Sequence, residues 1–225
     1  QKTDGMSLRC LKSSEEGLFS IVNLNLQYSG TGSSSSWGDF DKDGDLDILY
    51  GKARYRNTGG TFTHIGGSTE EKITSSFCDY NNDTYIDFLA AELDIFPCGS
   101  SALFTNNGTA FDSLYFELQC CSSVRMAWGD YDNNGSQDVI IEKWTDPPLM
   151  SNFPVTLLYR NDNKGGSFTD CNENIPDMYG GSVDWGDFDN DLDIDLLITG
   201  IDDNGNKETF VFRNENGELK KMDLS

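Results

Sequence analysis

The sequence predicts an all-β chain: a β-propeller of four-stranded antiparallel blades, with four repeat units visible as a closed small ring or as part of a larger ring. Three observations predict it. An acidic stretch followed by an apolar run recurs four times. An aromatic strand entering an Asn-Gly type turn follows each copy. The recurrence leaves room for four short strands in roughly 50 residues, which is the signature of a blade rather than of a helical solenoid.

The acidic copies are WGDFDKDGDLDILYG from Trp37, FCDYNNDTYIDFLAA from Phe77, WGDYDNNGSQDVIIE from Trp128 and WGDFDNDLDIDLLIT from Trp185. The turns are YRNTGGTF at 55, FTNNGTAF at 104, YRNDNKGGSF at 159 and FRNENGEL at 212. The residue after each turn marks the period: Phe62, Phe111, Phe168 and Leu219, with Phe19 holding the same place before the first acidic copy. A single domain over 1–225 then divides into units 19–61, 62–110, 111–167 and 168–218, with partial strands at both ends. GLFSIVNLN from 17 and GELKKMDLS from 217 duplicate one strand position. Gly, Asn, Asp and Ser break the chain every eight to twelve residues, and no apolar period of 3.6 persists to support a helix.

Within each acidic loop, counted from its first aspartate, positions 1, 3, 5 and 9 are always Asp or Asn. They are Asp39, Asp41, Asp43 and Asp47; Asp79, Asn81, Asp83 and Asp87; Asp130, Asp132, Asn134 and Asp138; Asp187, Asp189, Asp191 and Asp195. Calcium takes six to eight oxygen ligands, and short carboxylate or amide arms at alternate positions of a curled loop converge on one ion. Position 7, occupied by Asp45, Tyr85, Ser136 and Asp193, offers a backbone carbonyl. Up to four calcium ions are therefore expected. An EF-hand is excluded because it needs a bidentate Glu at position 12, where this chain has Tyr50, Ala90, Ile141 and Ile198 inside apolar runs. Gly44 and Gly135 stand at the sharp-turn position 6, whereas Thr84 and Leu192 resist positive φ there. Gly44 with four carboxylates among the named ligands ranks the first site strongest, Gly135 comes with only three, Thr84 with three ranks the second weakest, and in the fourth four carboxylates oppose Leu192. The flanking aromatics, Trp37, Phe77, Trp128 and Trp185 before the loop and Phe40, Tyr80, Tyr131 and Phe188 inside it, are expected to pack between adjacent blades.

With sixteen basic and thirty-eight acidic residues, the formal charge of −22 argues against a nucleic-acid or anionic-lipid partner. No apolar run approaches the ~20 residues of a membrane span, so no membrane insertion is expected. Four Trp, nine Tyr and fourteen Phe spread along the chain argue for a packed core despite the charge. The chain begins at Gln1 without an initiator Met or a signal segment and reads as processed or excised. Six cysteines without zinc-site spacing, together with sequons at Asn82, Asn107 and Asn134, predict an extracellular or cell-surface glycoprotein with disulfides. Asn107, on an exposed turn, is the preferred glycan site and Asn82 the second, whereas a glycan on Asn134 would compete with the ion.

The two motifs together, W-G-D-[FY]-D-x-D-G-x-x-D before an apolar strand and [YF]-R-N-x-x-G-x-F after it, resemble the FG-GAP/VCBS repeat class of integrin α-chain propellers and many secreted proteins. The resemblance extends from about Phe19 to Leu219. It implies calcium ligands at the sixteen Asp/Asn positions, a calcium loop between the first and second strands of each blade, and a role in adhesion or glycan binding. Thr84 and Leu192 at the Gly position, and Cys78 in place of the Gly before the loop, depart from the pattern. Propellers of this class commonly have seven blades.

The leading expectation is a secreted calcium-binding adhesion or structural assembly module with a protein or glycan ligand. Head-to-tail homo-oligomers, extending to a filament, would follow from the duplicated terminal strand. The alternative is a lectin using the variable connections between second and third strands, above all 142–154 with Trp144. The third reading is a polysaccharide-active enzyme. No catalytic set supports it: the sole histidine, His64, lies beside a turn with no nucleophile signature, so a non-enzyme is expected.

Overall fold

The computed structural model describes residues 9–13, 19–23, 34–68, 73–92, 101–116, 122–144, 154–171 and 174–223, which form strands and turns with no helix among them. Four sheets follow one another along the chain, each a four-stranded antiparallel meander in sequence order. The first holds β3 (Ser35–Gly38), β4 (Asp47–Tyr50), β5 (Ala53–Thr58) and β6 (Thr61–Gly66); the second β7 (Ile73–Cys78), β8 (Asp87–Glu92), β9 (Ser101–Asn106) and β10 (Phe111–Tyr115). The third holds β11 (Ser122–Gly129), β12 (Asp138–Trp144), β13 (Pro154–Asp162) and β14 (Ser167–Asp170); the fourth β15 (Tyr179–Gly186), β16 (Asp195–Ile201), β17 (Lys207–Glu215) and β18 (Glu218–Lys221). Before them, β1 (Arg9–Ser13) and β2 (Phe19–Asn23) pair as a two-stranded sheet.

The sheets are phased one strand later than the units read from the repeat period. The strand that carries Phe62, Phe111, Phe168 or Leu219 closes the sheet before it, because the tight Asn-Gly turn returns it antiparallel to its predecessor. Each acidic loop consequently links the first and second strands of one sheet.

Alternation along the second strand explains how the sheets stack. Leu49 faces Ile73, Phe88 and Ala90 of the second sheet. Leu89 and Leu103 face Val124, Val139 and Ile141 of the third, and Ile140 and Leu158 face Val183, Leu196, Ile198 and Phe212 of the fourth. With both faces covered, these strands read as unbroken apolar runs instead of alternating ones. Each fully buried Leu, Ile or Phe contributes about 1.5–3 kcal/mol relative to exposure. Ile48, Tyr50, Ala53 and Tyr55 form a separate buried cluster on the other face of the first sheet.

First strands make the sheet-to-sheet seams. Ser34 N–H donates to Ile73 O at 3.2 Å and Ser34 Oγ to Ser75 O at 2.7 Å. Thr74 Oγ1 donates to Val124 O at 3.0 Å, and Trp185 Nε1 to Ala127 O at 3.3 Å. The expected aromatic packing is present between the four-stranded sheets, where Phe40 meets Phe77 and Phe111, Tyr80 meets Phe168, and Tyr131 stacks on Trp185, but it does not extend to Trp37, which meets Phe62 of its own sheet, or to the exposed Phe188.

Cys78 and Cys171 carry free thiols, so the disulfide expectation does not extend to them. Burial, with nearby carboxylates, pushes the Cys78 thiol up, and Cys171 Sγ accepts a hydrogen bond from Tyr131 Oη at 3.1 Å. Cys98, Cys120 and Cys121 lie outside the described residues, as do residues 145–153 of the rim connection.

Candidate metal-binding loops

The four acidic loops share one backbone. The position 1 carboxylate accepts two amides ahead of it: Asp39 from Asp43 and Gly44, Asp79 from Asp83 and Thr84, Asp130 from Asn134 and Gly135, Asp187 from Asp191 and Leu192, at 2.9–3.2 Å. The position 5 side chain accepts the position 7 amide in each loop: Asp43 from Asp45, Asp83 from Tyr85, Asn134 from Ser136 and Asp191 from Asp193. These short acceptors fold the loop back on itself as Asx turns. They place position 6 at positive φ in all four copies, Gly44 at 93°, Thr84 at 77°, Gly135 at 86° and Leu192 at 79°. Thr84 and Leu192 therefore adopt the conformation that their side chains disfavour.

Position 9 opens the second strand and is buried in every copy. Asp47, Asp138 and Asp195 each accept the position 2 amide (Phe40, Tyr131, Phe188) on one oxygen, at 2.9–3.0 Å. The other oxygen takes the amide of the turn asparagine, Asn57, Asn161 or Asn214, at 2.7–2.8 Å. Asp87 accepts from Asn106 at 2.7 Å. Burial pushes Asp87 and Asp138 up to about 7 and raises Asp47, against the amides that pull each of them down.

Three groups of carboxylates converge so that their oxygens lie within 4.8 Å of one another: Asp39, Asp41 and Asp43; Asp130, Asp132 and Asp138; Asp187, Asp189 and Asp195. In the second loop Asn81 replaces one carboxylate and donates to Asp83 Oδ2 at 3.1 Å. Asp41 Oδ1 is a buried oxygen with no hydrogen-bond partner, the kind of unsatisfied acceptor that a hard dication satisfies. Neither protein-family models nor curated proteins match this chain. The restriction to Asp and Asn has two supports in the loop geometry, Asx hydrogen bonding and convergence of oxygens at one point.

Position 7 does more than offer a carbonyl. Asp45 Oδ2 accepts the Gly59 amide and Asp193 Oδ2 the Asn216 amide, both at 2.7 Å, tying the loop to the neighbouring turn. Tyr85 packs against Gly108, and Ser136 is buried.

Two features of the loops are not visible in the sequence as such. The turn asparagine is one: Asn106, Asn161 and Asn214 donate to the position 2 carbonyl of the preceding sheet, Phe40, Tyr80 and Tyr131, at 2.6–2.7 Å. The other is the residue before it. Arg56 Nε lies 2.6 Å from Asp41 Oδ2 and Arg213 Nε 3.1 Å from Asp189 Oδ2. Arg160 Nε is 4.0 Å from Asp132 and 3.0 Å from Asp162. The YRN signature carried both, but it shows only the turn, because the partners lie in other parts of the chain.

Adjacent loops also touch. Lys42 Nζ donates to Thr84 Oγ1 and covers the Tyr85 ring, Asn82 Nδ2 donates to Gly135 O, and Asn133 Nδ2 donates to Asp193 Oδ1. The Asn82 amide is thus engaged across a seam. Asn107 is exposed, with its Oδ1 capping Thr109 and Ala110 and its Nδ2 on Asp112. Trp144 does not lie on a free loop: it ends β12, with its ring 4.1 Å from that of Tyr179.

Proposed function

We propose that the chain is a calcium-stabilised propeller module of the extracellular space, serving adhesion or structural assembly. The carrying observation is the convergence of three carboxylates in each of three loops on one rim. Calcium would be held by the Asp and Asn side chains at positions 1, 3, 5 and 9, and it would offset the carboxylate charge crowded into each loop. Serial stacking of four-stranded meanders through their first strands supports the propeller reading.

Assembly is supported by the ends. Leu197 is 44 % exposed, whereas the matching Leu49, Leu89 and Ile140 are fully buried by the next sheet. Phe188 is 50 % exposed where Phe40, Tyr80 and Tyr131 are buried. At the other end Trp37 and Leu46 are exposed, the residues whose counterparts Phe77 and Ile86 pack over Gly38. A second copy joined head to tail at the loop ends would cover both sets.

Thermal melting with calcium and with a chelator tests the metal reading. The midpoint should fall in chelator, and Asp43→Ala should shrink that fall. A midpoint indifferent to chelator sinks the reading.

A further inference from the structure

Across the four repeats, the residue before the turn asparagine varies together with loop position 3. Arg56 accompanies Asp41, Arg160 accompanies Asp132 and Arg213 accompanies Asp189. In the second repeat both members are neutral. Asn81 stands at position 3, and Thr105 replaces the Arg, with its Oγ1 bonded to Tyr80 Oη instead. A charge and its counter-charge thus appear and disappear as a couple.

Geometry explains the delivery. The turn asparagine is pinned to the position 9 carboxylate by its backbone amide, at 2.8 Å for Asn57, 2.7 Å for Asn161 and 2.8 Å for Asn214. The side chain one residue earlier is therefore brought to the mouth of the same loop. The pairs are graded: Arg56 is closest to its position 3 aspartate, Arg213 also lies 3.9 Å from Glu215, and Arg160 lies nearer Asp162. In the first loop the guanidinium takes Asp41 Oδ2 and leaves Oδ1 buried without a partner.

We propose that Arg56, Arg160 and Arg213 are built-in counter-ions of the acidic loops, which hold the carboxylates together when no cation is bound and set how tightly a divalent cation binds. The inference rests on the calcium reading above and names the regulation of that site. A fixed positive charge beside position 3 relieves carboxylate repulsion in the empty loop and repels an arriving dication. Its removal has opposite effects on the two states. A purely structural side chain would weaken both.

The test compares the 225-residue chain with Arg56→Thr and with Asp41→Asn/Arg56→Thr, the latter reproducing the second repeat's neutral couple. Calorimetric titration with calcium chloride measures affinity, and melting in chelator measures the empty state. Arg56→Thr should melt lower in chelator yet bind calcium at one site roughly three- to tenfold more tightly, with the gain fading at high salt. The double variant should recover the parent's melting in chelator. Unchanged or weaker calcium binding by a folded Arg56→Thr overturns the proposal and leaves the calcium reading intact. A parent that binds no calcium overturns both. Failure of the double variant to recover while the single variant falls overturns the charge couple.

Discussion

At the scale of single residues, the loop backbone is set by acceptors and not by the side chain at the turn. Asp187 accepts the Asp191 and Leu192 amides just as Asp39 accepts those of Asp43 and Gly44, so the chain turns identically although Leu192 must take φ of 79°. Leu192 projects into solvent at 83 % exposure and gives nothing back through packing. Leu192→Gly should therefore stabilise the protein, by about 1 kcal/mol, as the disfavoured left-handed conformation is relieved. Urea unfolding at fixed calcium reads this directly, and a lower midpoint in the variant would contradict it. The Asp/Asn pattern was legible because hydrogen-bonding and metal-ligating roles demand the same short oxygens at the same alternate positions. The strain was not legible, since the sequence shows that Thr84 and Leu192 resist the turn and cannot show that two amide hydrogen bonds override the resistance.

At the scale of elements, the turn asparagines fasten one sheet to the next. Asn161 is fully buried, donates to Gln137 O and Tyr80 O, and accepts from Gly165. Asn57 donates only to Leu46 O, within its own sheet, and accepts from Gly60. Asn161→Ala leaves two carbonyls and an amide unpaired and should cost about 2–4 kcal/mol, whereas Asn57→Ala should cost about 1 kcal/mol. Chemical denaturation of the two variants checks the difference, and equal losses would mean that the bond across the seam contributes nothing. Strands and turns were legible from alternation and from the Asn-Gly signature. Their grouping into sheets was not legible in the period, which fixes the length of a repeat but not the strand at which hydrogen bonding begins; the family resemblance, with its loop between first and second strands, implied it. The Asn161 and Tyr80 partnership spans 81 residues, beyond the reach of any local pattern.

At the scale of the whole molecule, the proposed head-to-tail contact makes a prediction about Leu197. Its exposed side chain and that of Phe188 share the outward side of the last sheet with Gly186, over which a Cβ would meet nothing within 4 Å. Light scattering in calcium should show mass rising with concentration, and Leu197→Glu should return the chain to a monomer, since a buried carboxylate cannot be accommodated at such a seam. A parent that stays monomeric at every concentration removes the assembly proposal. Repeat architecture was legible in the sequence. The outward faces were not, because Leu197 follows the same apolar run as its buried counterparts and only the absence of a fifth four-stranded sheet beyond it, among the described residues, distinguishes it.

The sequential strand order within each sheet has a kinetic consequence. Within each sheet every strand after the first pairs with the one made just before it, so a sheet needs no distant part of the chain to form, and each finished sheet offers the next a template on which to settle. During synthesis the protein should condense from its amino-terminal side one sheet at a time, with short loops to close at each step and little delay between emergence and folding. A pause in translation within any one sheet would expose that sheet's own apolar second strand and the outward face of the sheet before it, while earlier sheets keep theirs out of reach of other chains.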